Sequence, residues 1–292
     1  MRIFGLRFTL AVFLLAIPAC AQTPDPQHIL DQYRNRIFVI RGFFPGDHLH
    51  FSSTGVSDNT TNGDWTTDGL VELNDLSISN RVLTIRAKRL FVSTGRNGFQ
   101  FLADTPQKRK KAPKLRMDVE LGPDENPANV LLTIFLTAQD IFSNLVPAYW
   151  KSCVSEGLNG KNAQCRFGAD IAAIPGVATS QNIGSSVVAV DNSANKAIAR
   201  IGHGVTPPRV VSRHDPNFSD AARGAKFQGT AVLMLVVNTS GVPTNIRVVN
   251  PLGLGLDEKA VEAVENWRFQ PSEKDGTPVA VEIAVQVDFH LY

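Results

Sequence analysis

The chain has 292 residues, of which 43% are hydrophobic and 19% charged, and a formal net charge of +2. That length accommodates two domains, and the composition is ordinary for soluble globular protein. So small a charge argues against a dedicated nucleic-acid binder.

At the start, Arg2 and Arg7 flank an apolar stretch from Phe8 to Ala16, too short for a comfortable membrane span. Ala19 and Ala21 then fit a signal-peptidase site with cleavage before Gln22, so residues 1–21 read as a signal peptide and the protein as exported. Cys20 after Ile17-Pro18-Ala19 also loosely matches a lipobox, and membrane contact is expected only if Cys20 is lipidated.

Residues 27–170 read as a β-rich domain of no recognised family. After a short helical lead-in at His28–Tyr33 come apolar runs at 36–41, 49–51, 70–73, 76–78, 82–87, 89–93, 98–102 and 114–121, separated by Pro45-Gly46, Asn62-Gly63, Asp68-Gly69 and Asn80. Closely spaced strands with turn signals predict a twisted antiparallel sheet or small barrel. His48 and His50 share a strand face at metal-compatible spacing, but no third ligand is evident in the sequence, so they read as ordinary histidines and no metal is assigned. Asp64 and Asp68 read as turn-forming acids around Trp65. The basic run from Lys108 to Lys111 reads as a solvated loop.

Asn126-Pro127 supplies a cap followed by a proline at the first helical position. Val130, Leu131, Ile134, Phe135, Ala138, Ile141, Phe142 and Leu145 then form one stripe, predicting one amphipathic helix that packs on the sheet until Pro147 ends or kinks it. In an exported protein, Cys153 and Cys165 read as a disulfide rather than a metal site, because no further ligands are evident nearby.

Residues 171–207 are small and polar and read as a linker, with Ser186–Val190 as one further strand. From 208 to 292 the pattern sharpens. Gly229 opens an apolar run, Ala231–Val237, which Asn238-Thr239-Ser240-Gly241 ends; Thr244–Val249 follows at hairpin distance. Leu256, Ala260, Ala263, Val264 and Trp267 recur at helical spacing, with Asp257 in the N-cap role. Pro271 stops that helix and Asp275-Gly276 turns the chain. The closing strand alternates Val279, Val281, Ile283, Val285, Val287, Phe289 and Leu291 with Ala280, Glu282, Ala284, Gln286, Asp288 and His290, which puts one face on a core.

Residues 205–292 resemble the TonB C-terminal domain family. The resemblance rests on Ala221-Ala222-Arg223, Gly229, Ser240-Gly241, Leu256-Asp257, Trp267-Arg268-Phe269-Gln270-Pro271, Asp275-Gly276-Thr277-Pro278 and the closing strand. The family's Tyr-Pro pair is Phe218-Ser219 here. The resemblance implies an α+β domain with a three-stranded antiparallel sheet and two helices. Its structural signature is Gly229, Gly241, Leu256, Asp257, Trp267, Pro271 and Gly276. It also implies a periplasmic, non-catalytic role linked to transmembrane transport, in which the domain takes up a peptide of an outer-membrane transporter or another envelope protein by strand addition. The expected partner-binding positions are Phe218, Arg268, Phe269, Gln286, Asp288 and His290. No cofactor is expected and no catalytic residue is assigned, since zinc-protease, nucleophile-elbow, phosphate-loop and dinucleotide motifs are missing from the sequence. Two other readings stay open: an envelope scaffold that self-associates as a homodimer, and an enzyme within the β-rich domain.

Overall fold

The computed structural model describes residues 26–59, 63–95, 98–102, 113–177 and 198–291. The expectations for residues 1–21, for Lys108–Lys111 and for Ser186–Val190 lie outside these.

Helix α1 (Pro26–Asp31) leads into β1 (Ile37–Val39), β2 (His48–Phe51), β3 (Leu70–Ser79), β4 (Val82–Arg89), β5 (Val92–Gly95), β6 (Gly98–Phe101) and β7 (Lys114–Glu120). The two runs expected at 70–73 and 76–78 are one strand, β3, with an irregularity between Leu73 and Asp75 in its pairing with β4. Asn80 and Arg81, both at positive φ, form the two-residue turn into β4. The strands form a sheet in the order β1-β3-β4-β7-β2, with β5 and β6 as a separate ribbon. The sheet is not wholly antiparallel as expected, because β2 lies parallel to β7. Alternate residues of β4 and β7 (Leu83, Ile85, Ala87; Leu115, Met117, Val119) point into a core shared with Leu30, Val130, Leu131 and Ile134.

The single helix expected after Asn126 is broken. Asn126 does cap α2 (Pro127–Ile134), its Oδ1 accepting from Ala128 N at 2.9 Å. At Phe135 the backbone turns extended and pairs with Ile40, and Leu136 N donates to Val39 O at 2.9 Å. Competition from β1 therefore ends the helix that the apolar stripe favoured. Asp140, held by Arg41 and by Thr137 N, pins the loop that follows. The chain then forms α3 (Phe142–Leu145), α4 (Ala148–Leu158) and α5 (Ala169–Ala172), so the described residues of this half contain several short helices where one long one was expected.

The remaining elements are β8 (Ile198–Ala199), β9 (Arg209–Ser212), α6 (Asp220–Ala225), β10 (Gly229–Val237), β11 (Pro243–Asn250), α7 (Leu256–Glu265), β12 (Arg268–Gln270), β13 (Ser272–Lys274) and β14 (Thr277–Phe289). Both expected helices, α6 and α7, are present. The expected three strands β11-β10-β14 form one side of a larger, five-stranded sheet, which β13 and the parallel β8 extend beyond β14. Ser219, standing where the family has proline, caps α6 by accepting from Ala222 N at 3.1 Å. Asp275 and Gly276, both at positive φ, make the turn between β13 and β14.

One hydrophobic core runs without a break from the first half into the second. Trp65, Phe99, Trp150 and Phe167 pack edge-on, tilted or stacked, with centroids 5.2–6.1 Å apart, in the same cluster as Leu254, Leu256 and Val264. Backbone bonds join the halves as well: Leu254 N donates to Val92 O at 2.8 Å and Thr94 N to Leu252 O at 2.9 Å. At this junction Glu258 is buried, accepting from Trp150 Nε1 at 2.9 Å and more weakly from Thr66 Oγ1 at 3.4 Å.

A disulfide joins Cys153 on α4 to Cys165, with 5.3 Å between their Cα atoms. It closes the segment that lies against β11, where Asn162 Nδ2 donates to Val249 O at 3.1 Å. Cys153→Ser or Cys165→Ser is expected to cost about 3 kcal/mol in the chain-entropy account. Urea melts of the oxidised protein and the two variants check this; superimposable melts would refute it.

Candidate partner-binding edge

The closing strand owes its position to its alternation. Val281, Val285, Val287 and Phe289 are buried, while Glu282, Ala284, Gln286 and Asp288 face solvent. On one side β14 pairs with β10 along its length, from Val237↔Val281 to Gly229↔Phe289. Its other side is covered only at the start, by β13 at 277–279 and by β8 at Ala280 and Val281. From Glu282 to Phe289 no strand among the described residues occupies that side. The opposite edge of the sheet is closed, because α4 and the disulfide segment pack on β11. Strand edges left open in a folded protein are templates for further pairing.

The polar face beside this open edge is ordered. Thr230 Oγ1 donates to Asp288, and Glu282 forms an ion pair with Arg247 of β11. The six expected partner-binding residues divide. Gln286, Asp288 and His290 lie exposed on the face and end of β14. Phe218 is half-buried against Phe289 at 5.5 Å, with the Arg223 guanidinium 6.0 Å from its ring, and so sits at the same end of the strand. Arg268 is exposed on β12, its guanidinium bonded to the carbonyls of Glu265 and Trp267. Phe269 is only 5% exposed and its N–H donates to Gly241 O at 2.9 Å; it is a core residue with no side-chain surface to offer a partner.

The signature residues build the scaffold. Gly241, at φ 74°, lies so close to Phe269 O that no Cβ fits. Leu256 is fully buried at the first position of α7. Asp257 is not the N-cap expected of it; that position is Gly255, at φ 73°. The Asp257 carboxylate instead reaches back to accept from Leu252 N and Gly253 N at 2.9 and 2.6 Å, which fixes the loop that pairs with β5. Trp267 is 2% exposed and its indole N–H donates to His214 O at 2.9 Å, with Arg213 stacked 5.1 Å from the ring. Gly229 and Gly276 open β10 and turn into β14, and Pro271 separates β12 from β13.

Burial sets the electrostatics near α7. Desolvation, together with the neighbouring Asp68 charge, pushes Asp64 up to about 7. Desolvation also carries Asp257 to about 7 despite the N–H groups that hold it, and raises Glu258 well above the usual carboxylate range. Sequence reasoning missed the closure of the β11 edge. The available signal was the pairing of Cys153 and Cys165 beside Trp150, which implied a packed segment without saying what it packs on.

Among the described residues no helix is long and apolar enough to cross a membrane. The family described as Gram-negative bacterial TonB protein C-terminal matches residues 214–291. Over 86 residues the chain is 29% identical to Protein TonB of Vibrio cholerae, covering 29% of this chain and 35% of that protein. Over 77 residues it is 32% identical to Protein tonB2 of Pseudomonas aeruginosa, covering 26% and 28%. The chain thus spans about a third of the length of these curated relatives. The solution NMR structure of the Pseudomonas aeruginosa TonB CTD matches 32% of this chain and 94% of its own at 17% identity, with a TM-score of 0.26. Residues 214–291 thus match the TonB C-terminal domain family.

Proposed function

We propose that this protein is a non-catalytic, periplasmic TonB-like binding protein that captures an extended segment of an outer-membrane transporter, or of another envelope protein, on the open edge of β14. The observation that supports this most directly is the asymmetry of the C-terminal sheet: the β11 edge is closed by α4, whereas β14 is unpaired from Glu282 to Phe289 on its outer side among the described residues. An added strand draws affinity from main-chain hydrogen bonds and selectivity from side chains. Here Gln286, Asp288 and His290, with Phe218 at the strand end, supply the selectivity.

The test is hydrogen exchange on the full chain, free and with peptides from the N-termini of outer-membrane transporters. Alternate amides between Glu282 and Phe289, those not already bonded to β10, are expected to slow about fivefold or more on binding, the factor carried by about 1 kcal/mol of hydrogen bonding. Peptide binding that leaves those amides unchanged would refute strand addition at β14. A dimer that protects the same amides without peptide would favour self-association instead.

A further inference from the structure

Away from the binding edge, two imidazoles and a carboxylate converge at the rim of the N-terminal sheet. Strand β2 buries Leu49 and Phe51 and turns His48 and His50 to solvent. Its parallel neighbour β7 places Asp118 opposite His50 and Arg116 opposite His48. The two imidazole centroids are 4.3 Å apart, and His48 Nε2 lies 2.9 Å from Asp118 Oδ2. One ligating atom from each of the three residues falls within 4.8 Å of the other two. Two ligand atoms on one tetrahedral zinc, each about 2.0–2.1 Å from the metal, sit about 3.3 Å apart, so side-chain adjustments of an ångström or less bring this trio onto one ion.

The carboxylate is held in place for that role. Thr84 Oγ1 donates to Oδ1 at 2.8 Å, and Arg116 braces both oxygens at 2.9–3.0 Å. The third ligand was invisible in the sequence because Asp118 is 68 positions beyond His50 and only the parallel β2–β7 pairing joins them.

We infer that His48, His50 and Asp118 form a binding site for a single divalent transition-metal ion of the zinc and copper class. Two imidazole nitrogens and one carboxylate oxygen suit such an ion, whereas calcium and magnesium favour all-oxygen ligand sets. Three protein ligands at a solvent-facing rim leave the remaining coordination positions to water or to an incoming group. The ion replaces the His48–Asp118 hydrogen bond, and the Arg116 charge on the same carboxylate keeps the affinity moderate.

Zinc titration calorimetry on the full chain, with any affinity tag removed, tests the site. One zinc per chain is expected. His48→Ala and His50→Ala should each weaken binding about tenfold or more, since even residues that only support metal ligands carry factors of that size. His203→Ala, at another exposed histidine, should bind like the parent. Zinc-dependent shifts of the His48 and His50 ring resonances, reversed by a chelator, give the same answer without a variant. No zinc binding by the parent chain, undiminished binding by either histidine variant, or ring resonances indifferent to zinc would each overturn the assignment.

Discussion

Trp267→Ala is expected to destabilise the protein by about 3–5 kcal/mol, the range for truncating a large aromatic in a core. The helix expected to run through Trp267 stops at Glu265, so the indole sits just beyond the end of α7; it is 2% exposed and satisfies His214 O through its N–H, while Arg213 lies over its ring. Removing it leaves a cavity and also strips a partner from a backbone carbonyl, and the two losses add. Trp267→Phe keeps most of the volume but loses the hydrogen bond, so it should cost clearly less. Urea melts of the full chain decide the matter: a loss under about 1 kcal/mol for Trp267→Ala would mean that the indole does not hold α7 in place.

The protein is also expected to be more stable at pH 4.5 than at pH 7.5. Asp64 and Asp257 rise from 3.8 to about 7 in the fold, and Glu258 rises too, in each case mainly through burial. Between pH 4 and 7 the folded chain therefore holds protons that the unfolded chain has released, and stability falls as pH rises across that window. A carboxyl raised from 3.8 to about 7 corresponds to an upper bound on the order of 4 kcal/mol, and hydration of the partly exposed Asp64 reduces its share. Asp118 and Asp140 act in the opposite sense, their depressed values giving stability that is lost as pH falls through the acid range below about 4. Urea midpoints at the two pH values test the sign, and a higher midpoint at pH 7.5 would refute it. Glu258→Gln, which keeps a group able to accept from Trp150 Nε1 without a titrating proton, should flatten the dependence.

These carboxylates bear on how the two halves act together. Glu258 belongs to α7 of the C-terminal domain, yet its hydrogen-bond donors, Trp150 and Thr66, come from the first half. Gly255 N likewise donates to Thr66 Oγ1 at 3.2 Å. The first half thus braces the loop and helix behind the sheet while α4 packs on β11, and neither contact covers the outer side of β14 from Glu282 to Phe289.

What the sequence determined by itself was local and periodic. The alternation from Val279 to Leu291 specified which face of β14 is buried, since side chains in a strand alternate whatever surrounds them. Asp275-Gly276 specified a turn through its tolerance of positive φ, and Leu256, Ala260, Ala263 and Val264 marked the buried stripe of α7. The dense motifs from Ala221 to Pro278 carried the family assignment as well. Tertiary structure decided the rest. The stripe from Val130 to Leu145 favours one helix locally, but Phe135 and Leu136 gain sheet hydrogen bonds from Ile40 and Val39, and those long-range bonds end α2. Asp257 has the chemistry of a cap, but the left-handed turn at Gly255 takes the capping position and frees the carboxylate to hold Leu252 and Gly253. The open stretch of β14, the closed edge of β11 and the meeting of Asp118 with His48 and His50 all depend on which strand lies beside which. That is a property of residues far apart in the chain, and no local pattern encodes it.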